Sequence, residues 1–345
     1  MAKCKFCGEP VKAAPVFHPS CWEQAVNKLA GEICDEYCKF PREIKDHDNL
    51  IEHCSECVAV ELLRLAAEMS ETYYAKPLII TTSGGKDSDA CLALARAAGI
   101  RYEVQHNHTT ADAPETVYHV RETFRRLENE GIKCTVNLPT YKGQRVTMWS
   151  LIPQKLMPPT RVVRYCCSVL KEQGGKGRMI TTGVRWAESA KRRKNRGIYE
   201  KQSAVISRKI TISNDNDDTR RLFENCRLQA KRVCNPIVDW TDSDVWDYIR
   251  SEHIPVNPLY ECGFRRVGCI GCPMAGRATR QMEFARYPTY ELMYIRAFER
   301  MLKARRARNL PTKWETGMDC FHWWMEDGVL PGQMEFEVEG DRYDD

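Results

Sequence analysis

A chain of 345 residues, 43% of them apolar and 29% charged, has the composition of a globular protein of two or three domains, not of a disordered or fibrous one. It holds no apolar run long enough to span a bilayer and no signal-peptide core behind Met1, so no membrane partner is expected and the protein reads as soluble and cytoplasmic. The net charge of +5 is unevenly spread, and seventeen cysteines at short spacings point to metal ligation rather than disulfides in such a compartment.

Residues 1–70 read as a zinc-binding module. Cys4 and Cys7 form a C-x2-C knuckle, and His18 and Cys21 follow with two residues between them. Cys34 with Cys38, and Cys54 with Cys57, make a second quartet. Each set suits a closed tetrahedral Zn2+ site, so two zinc ions are expected, and four protein ligands leave no open position for catalysis. Metal binding would supply most of the folding free energy of so short a segment. His47 and His53 read as solvated, and Val58 to Ala66 as a helix leading into the next domain.

Residues 71–280 carry the main domain. Pro77 to Ile80 is an apolar run of strand type, and Ala90 to Ala98 reads as a helix. Between them stands Thr81-Thr82-Ser83-Gly84-Gly85-Lys86-Asp87-Ser88-Asp89. Strand, glycine turn and helix start together make an anion cradle: the backbone approaches closely and the N–H groups converge at a helix N-terminus. Lys86 adds a point charge suited to phosphate oxygens. Lys86 follows the second glycine directly, so the turn is not the Walker pattern, and the three spaced glycines of a dinucleotide fold are absent.

Further strands are expected at Tyr102 to Thr109, Lys133 to Leu138, Arg178 to Gly183 and Arg232 to Val238. A helix should run from Ala113 to about Glu130, with Pro114 in its first turn. Strands alternating with helices give an α/β fold with a doubly wound, mostly parallel sheet, and ligands bind beyond the carboxyl ends of its strands. The last part, residues 281–345, reads as a helical extension with an acidic tail. Phe284, Met293, Ile295, Phe298, Met301 and Leu302 offer an apolar face, and the cluster Phe321-His322-Trp323-Trp324 reads as packing rather than as a base-stacking platform.

Ser83-Gly84-Gly85-Lys86-Asp87-Ser88 resembles the PP-loop of the ATP pyrophosphatases. Five later stretches narrow the likeness to the phosphoadenosine phosphosulfate (PAPS) reductase-like branch: Thr109 to Thr116, Arg164 to Lys171, Gly183 to Ser189, Asn235 to Ile237 with Trp240 to Ile249 (which look like the family's terminal strand and helix), and Ile254 to Pro273. The resemblance spans about residues 77–275. It implies an enzyme with the adenine nucleotide alpha-hydrolase-like fold that grips ATP or a PAPS-type nucleotide with Mg2+. Ser83, Gly84, Gly85, Lys86, Asp87 and Ser88 would hold the phosphates, Asp87 would position Mg2+, and Gly183 and Arg185 would close the cradle from the opposite side.

Cys166-Cys167 and the C-x2-C of Cys269 and Cys272 form a third metal constellation. Within the family this combination marks members with a 4Fe-4S cluster, and a third zinc is the alternative for the same four thiolates. Family reductases use a C-terminal cysteine in Glu-Cys-Gly-x-His. Glu335 to Asp345 holds none, and Glu261-Cys262-Gly263-Phe264 matches it only in part. The reading favoured here is therefore adenylation coupled to Fe–S-dependent sulfur transfer onto a nucleic-acid acceptor, with a sulfur donor or thiol reductant protein as partner. A sulfonucleotide reductase and a non-catalytic nucleotide- or nucleic-acid-binding adaptor are the alternatives. Residues 185–209 hold nine Lys or Arg against two Glu, a basic stretch suited to phosphate or, as the bland alternative, to a solvated flap.

Overall fold

The computed structural model describes residues 2–3, 7–11, 21, 55–175, 177–188, 199–201 and 232–326. Cys4, His18, Cys34, Cys38 and Cys54, together with most of the basic stretch 185–209, lie outside the described residues. The chain divides into two units: Met1–Arg145 with Cys167–Cys269, and Val146–Cys166 with Ile270–Asp345. In chain order the elements begin α1 (Ser55–Tyr74), β1 (Leu78–Thr82), α2 (Lys86–Ala97), β2 (Tyr102–Asn107), α3 (Pro114–Asn129), β3 (Cys134–Asn137) and α4 (Met148–Lys155). They continue with β4 (Met179–Thr181), β5 (Tyr199–Lys201), β6 (Arg232–Cys234), α5 (Asp242–Ser251), α6 (Arg277–Arg286), α7 (Pro288–Arg306) and α8 (Gly317–Met325).

The first unit is built on one sheet in the order β3-β2-β1-β4-β6-β5. Five strands are parallel, and β5 closes the edge antiparallel to β6. Strand β1 is apolar without alternation because both its faces are covered. Leu78 and Ile80 join the large core shared with α1, α2 and α5, while Ile79 meets Ile180 and Val233 on the opposite face. Ala59, Leu62, Leu63, Ala66 and Met69 recur at helical spacing along α1 and are buried in that large core. The domain boundary expected near residue 70 thus falls inside α1. Strand β5, three residues within the expected basic loop, gave no periodic signal in the sequence.

Successive strands β1, β2 and β3 extend the sheet in one direction, and β4 and β6 extend it in the other. The order therefore reverses between β1 and β4, the crevice where open α/β sheets receive ligands. The two loops that leave these strands at their carboxyl ends are Ser83–Gly85 and Thr182–Arg185.

The second unit is helical. The expected helical extension begins with a pair, α6 and α7, broken at Tyr287 and restarted by Pro288, whose missing N–H is tolerated only in a first turn. Trp324 of α8 lies 4.7 Å from the Tyr294 ring and 5.5 Å from Phe298, and its indole N–H donates to the Pro159 carbonyl at 2.6 Å. Phe321 and Trp324 are packing residues, and His322 is exposed. Among the described residues no helix is long and apolar enough to cross a membrane.

Candidate nucleotide site

The loop after β1 is held in shape by its own hydroxyls. Ser88 Oγ donates to the Gly85 carbonyl at 2.7 Å and accepts from the Ser83 N–H at 3.2 Å, and Thr82 Oγ1 accepts from the Gly84 N–H at 3.2 Å. Gly84 has φ +75°, and a Cβ there would meet Thr116 Cγ2 at 2.9 Å and Val120 Cγ2 at 3.0 Å. Only glycine allows this conformation and this approach of α3. A Cβ on Gly183 would lie 2.8 Å from the backbone C and O of Asp87, so the loops after β1 and β4 touch through a missing side chain.

Residues distant in sequence brace the loop from behind. Asn257, fully buried, donates through Nδ2 to the Gly84 carbonyl and to Thr116 Oγ1, both at 3.0 Å. The Tyr260 hydroxyl accepts from the Lys86 N–H at 2.9 Å, and burial pushes that phenol well above its ordinary pKa. Asp89, one residue past the motif, is buried and pairs with His119 at 2.9 Å; burial raises its carboxyl despite the imidazole beside it.

The charges at the mouth form a closed square. Lys86 Nζ lies 2.7 Å from Asp242 Oδ1 and 3.2 Å from Asp87 Oδ1. Arg185 donates through Nε to Asp87 Oδ1 at 2.7 Å and through Nη2 to Asp242 Oδ1 at 2.9 Å. Both cations are buried, with side chains only 5% and 4% exposed, whereas the Asp242 side chain is 64% exposed. Burial opposes ionisation of Asp242, but the Lys86 hydrogen bond and the charges of Lys86 and Arg185 outweigh it and hold its carboxyl below the ordinary range. The square places two fixed cations around one oxygen of a carboxylate whose side chain is exposed.

Lys86, Asp87, Gly183 and Arg185, expected from separate motifs, are therefore in one place. Asp242, Asn257 and Tyr260 were not foreseen as site residues. Asp242 opens α5 in the first turn after the Thr241 cap, whose side chain accepts from the Asp244 N–H at 3.2 Å. The capping signal Thr241-x-x-Asp244 was readable, but where it aims Asp242 was not.

Residues 77–275 of this chain match the phosphoadenosine phosphosulfate reductase domain. The chain belongs to that family. An uncharacterised protein of Methanocaldococcus jannaschii is 30% identical over 200 residues, which are 56% of this chain and 40% of that one. The adenosine 5'-phosphosulfate reductase of Burkholderia cepacia is 40% identical over 58 residues, 16% of this chain and 23% of the enzyme. The chain thus spans well under half the length of these relatives. The PAPS reductase of Candida auris, solved as a phosphate complex, is 16% identical with a TM-score of 0.39, covering 61% of this chain and 87% of its own. The U34-tRNA thiolase NcsA of Methanococcus maripaludis, solved with its 4Fe-4S cluster, is 10% identical with a TM-score of 0.32, covering 91% and 92%. Overlays this loose carry no argument about chemistry.

Cys167 and Cys269 belong to the sheet unit, where both are buried and the Cys269 thiol lies 3.3 Å from Thr109 Oγ1. Cys166, buried, and Cys272, partly buried, belong to the helical unit. Of the two N-terminal quartets, Cys7 is exposed, Cys21 is buried and Cys57 sits in the first turn of α1. Cys262 is exposed, two residues beyond Tyr260.

Proposed function

We propose that this PAPS reductase-like domain is a PP-loop enzyme that binds ATP, or a related adenylyl nucleotide, with Mg2+ at the cradle of Lys86 and Arg185. The observation that carries the reading is the exposed Asp242 carboxylate lodged between two buried cations. It stands in for a phosphate oxygen, the group that both cations would hold once a nucleotide displaced it. Asp87, paired with Arg185 and partly open to solvent, is the oxygen ligand for Mg2+.

In the adenylation that follows, an acceptor oxygen forms a bond to the α-phosphorus and the bond to the bridging oxygen breaks. Pyrophosphate leaves carrying the negative charge that Lys86 and Arg185 neutralise. A sulfur nucleophile from a donor protein or thiol then displaces AMP from the activated acceptor. Nucleic acid is the acceptor proposed, supported by the basic stretch 185–209 in the sequence beside Arg185. Cys166, Cys167, Cys269 and Cys272 have the donor set of a 4Fe-4S cluster, and the first three are buried. When bound, that cluster would carry or activate sulfur. Zn2+ at Cys4, Cys7, His18 and Cys21, and at Cys34, Cys38, Cys54 and Cys57, remains part of the proposal on ligand spacing alone.

Incubation of the full chain with ATP and Mg2+, in the presence of RNA, should yield AMP and pyrophosphate, and anaerobic purification should give a brown protein with about four irons per chain. No turnover with wild-type nucleotide binding would leave an adaptor. One observation favours a second reading: exposed Cys262 lies next to the segment whose Tyr260 touches the cradle. If Cys262 is a reductase nucleophile, PAPS and a thiol reductant should release sulfite, and Cys262→Ser should abolish it.

A further inference from the structure

The carboxyl end of β2 carries a cluster that the nucleotide reading does not use. His106, His108 and Asp112 each present one ligand atom within 4.8 Å of the other two. His106 pairs across the sheet with Thr82, and its Nδ1 lies 3.0 Å from the Thr82 carbonyl oxygen. A carbonyl only accepts, so Nδ1 carries the proton and Nε2 keeps its lone pair. This is the arrangement that fixes the tautomer of a ligating imidazole.

The other two donors are positioned as firmly. The Asp112 carboxylate accepts from the Thr109 N–H at 2.9 Å, and its backbone bridges to Cys269. His108 Nδ1 stands 3.6 Å from Asp112 Oδ2, too far for a hydrogen bond between them and close to the spacing of two ligands on one ion. His106 and Asp112 are only 4% and 7% exposed and His108 is partly buried, so this is not surface acidity.

We infer that His106, His108 and Asp112 form a binding site for one divalent first-row transition ion, held by two imidazoles and one carboxylate with coordination positions left open. Two nitrogen donors and one oxygen donor suit Zn2+, Fe2+ or Co2+ better than Mg2+, and three ligands leave room for water or a substrate oxygen. The site is separate from Asp87 and Asp242 and does not rest on the nucleotide reading.

The test is a Co2+ titration of the full chain, read by visible absorption, beside the same titration of His108→Ala. The wild type should take up one more equivalent than the variant, with d–d bands and no thiolate-to-cobalt charge transfer in the difference spectrum. The affinity for that equivalent should fall at least about tenfold in His108→Ala. His108 is partly exposed, and His108→Gln serves if the alanine variant fails to fold. Identical titrations of wild type and variant would overturn the site. So would an extra equivalent whose spectrum shows thiolate charge transfer abolished by Cys269→Ser, because the donor set would then be different.

Discussion

Both units bury ionised side chains, but they satisfy them differently. In the sheet unit Lys86 and Arg185 are held by the carboxylates of Asp87 and Asp242, and Asp242 faces solvent. In the helical unit Arg280 is fully buried, donates to the carbonyls of Trp324 at 2.9 Å and Met325 at 3.3 Å, and lies 5.5 Å from the centre of the Trp324 ring. Glu283 there accepts from the Gly271 N–H at 2.7 Å, and burial pushes its carboxyl up to about 7. Backbone partners cannot leave, so Arg280 and Glu283 are structural; an exposed carboxylate can be displaced, so Lys86 and Arg185 are available to a ligand. The partner, not the residue type, separates the two roles.

The comparison breaks first if Arg280 proves dispensable. Arg280→Met strips two buried carbonyls at the end of α8 of their donor, and should destabilise the protein by about 3 kcal/mol or more, seen as a lowered thermal midpoint. Lys86→Ala, by contrast, should fold normally and lose nucleotide affinity by roughly 1.5–3 kcal/mol, the worth of one charge-assisted contact, in a calorimetric titration with ATP and Mg2+. Equal ATP affinity in a folded Lys86→Ala protein would remove the cradle from the proposal.

A change of sign sharpens the contrast further. If the Asp242 carboxylate only occupies the phosphate position, Asp242→Asn should bind pyrophosphate several-fold more tightly, by about 1 kcal/mol. Weaker binding would make Asp242 a ligand to nucleotide or Mg2+ instead. The smallest effect concerns pH. Because the folded-state pKa of Glu283 is raised, its protonated form contributes stability that is fully present below about 4.5 and is lost as pH rises through about 7. Glu283→Gln should flatten the dependence of the thermal midpoint on pH across that window, since an amide oxygen can still accept from Gly271.

How much was legible follows the same physics. Ser83 to Ser88 was readable because a phosphate loop is a local device: six consecutive residues, two of them glycines, form the turn and aim a lysine. The apolar runs of β1, β4 and β6, and Pro114 at the start of α3, were readable because burial on both faces and fixed φ leave a direct mark on residue choice. Arg185 was readable only through a family motif.

Asp242, Asn257 and Tyr260 sit in stretches that carry the family likeness, but nothing marked them as site residues. They lie 156–174 residues beyond Lys86, and nothing in Thr-Asp-Ser-Asp or Asn-Pro-Leu-Tyr says which loop they meet. The sheet order decided it, by reversing between β1 and β4 and bringing the start of α5 and the Asn257 turn against the glycine loop. The same holds for His106, His108 and Asp112. The strand β2 was expected, but only its pairing beside Thr82 supplied the carbonyl that holds the His106 imidazole. Local sequence determined the elements and the one contiguous motif, because backbone sterics and burial act over a few residues. Tertiary structure decided which charges meet, because Coulomb and hydrogen-bond partners are chosen by proximity in space.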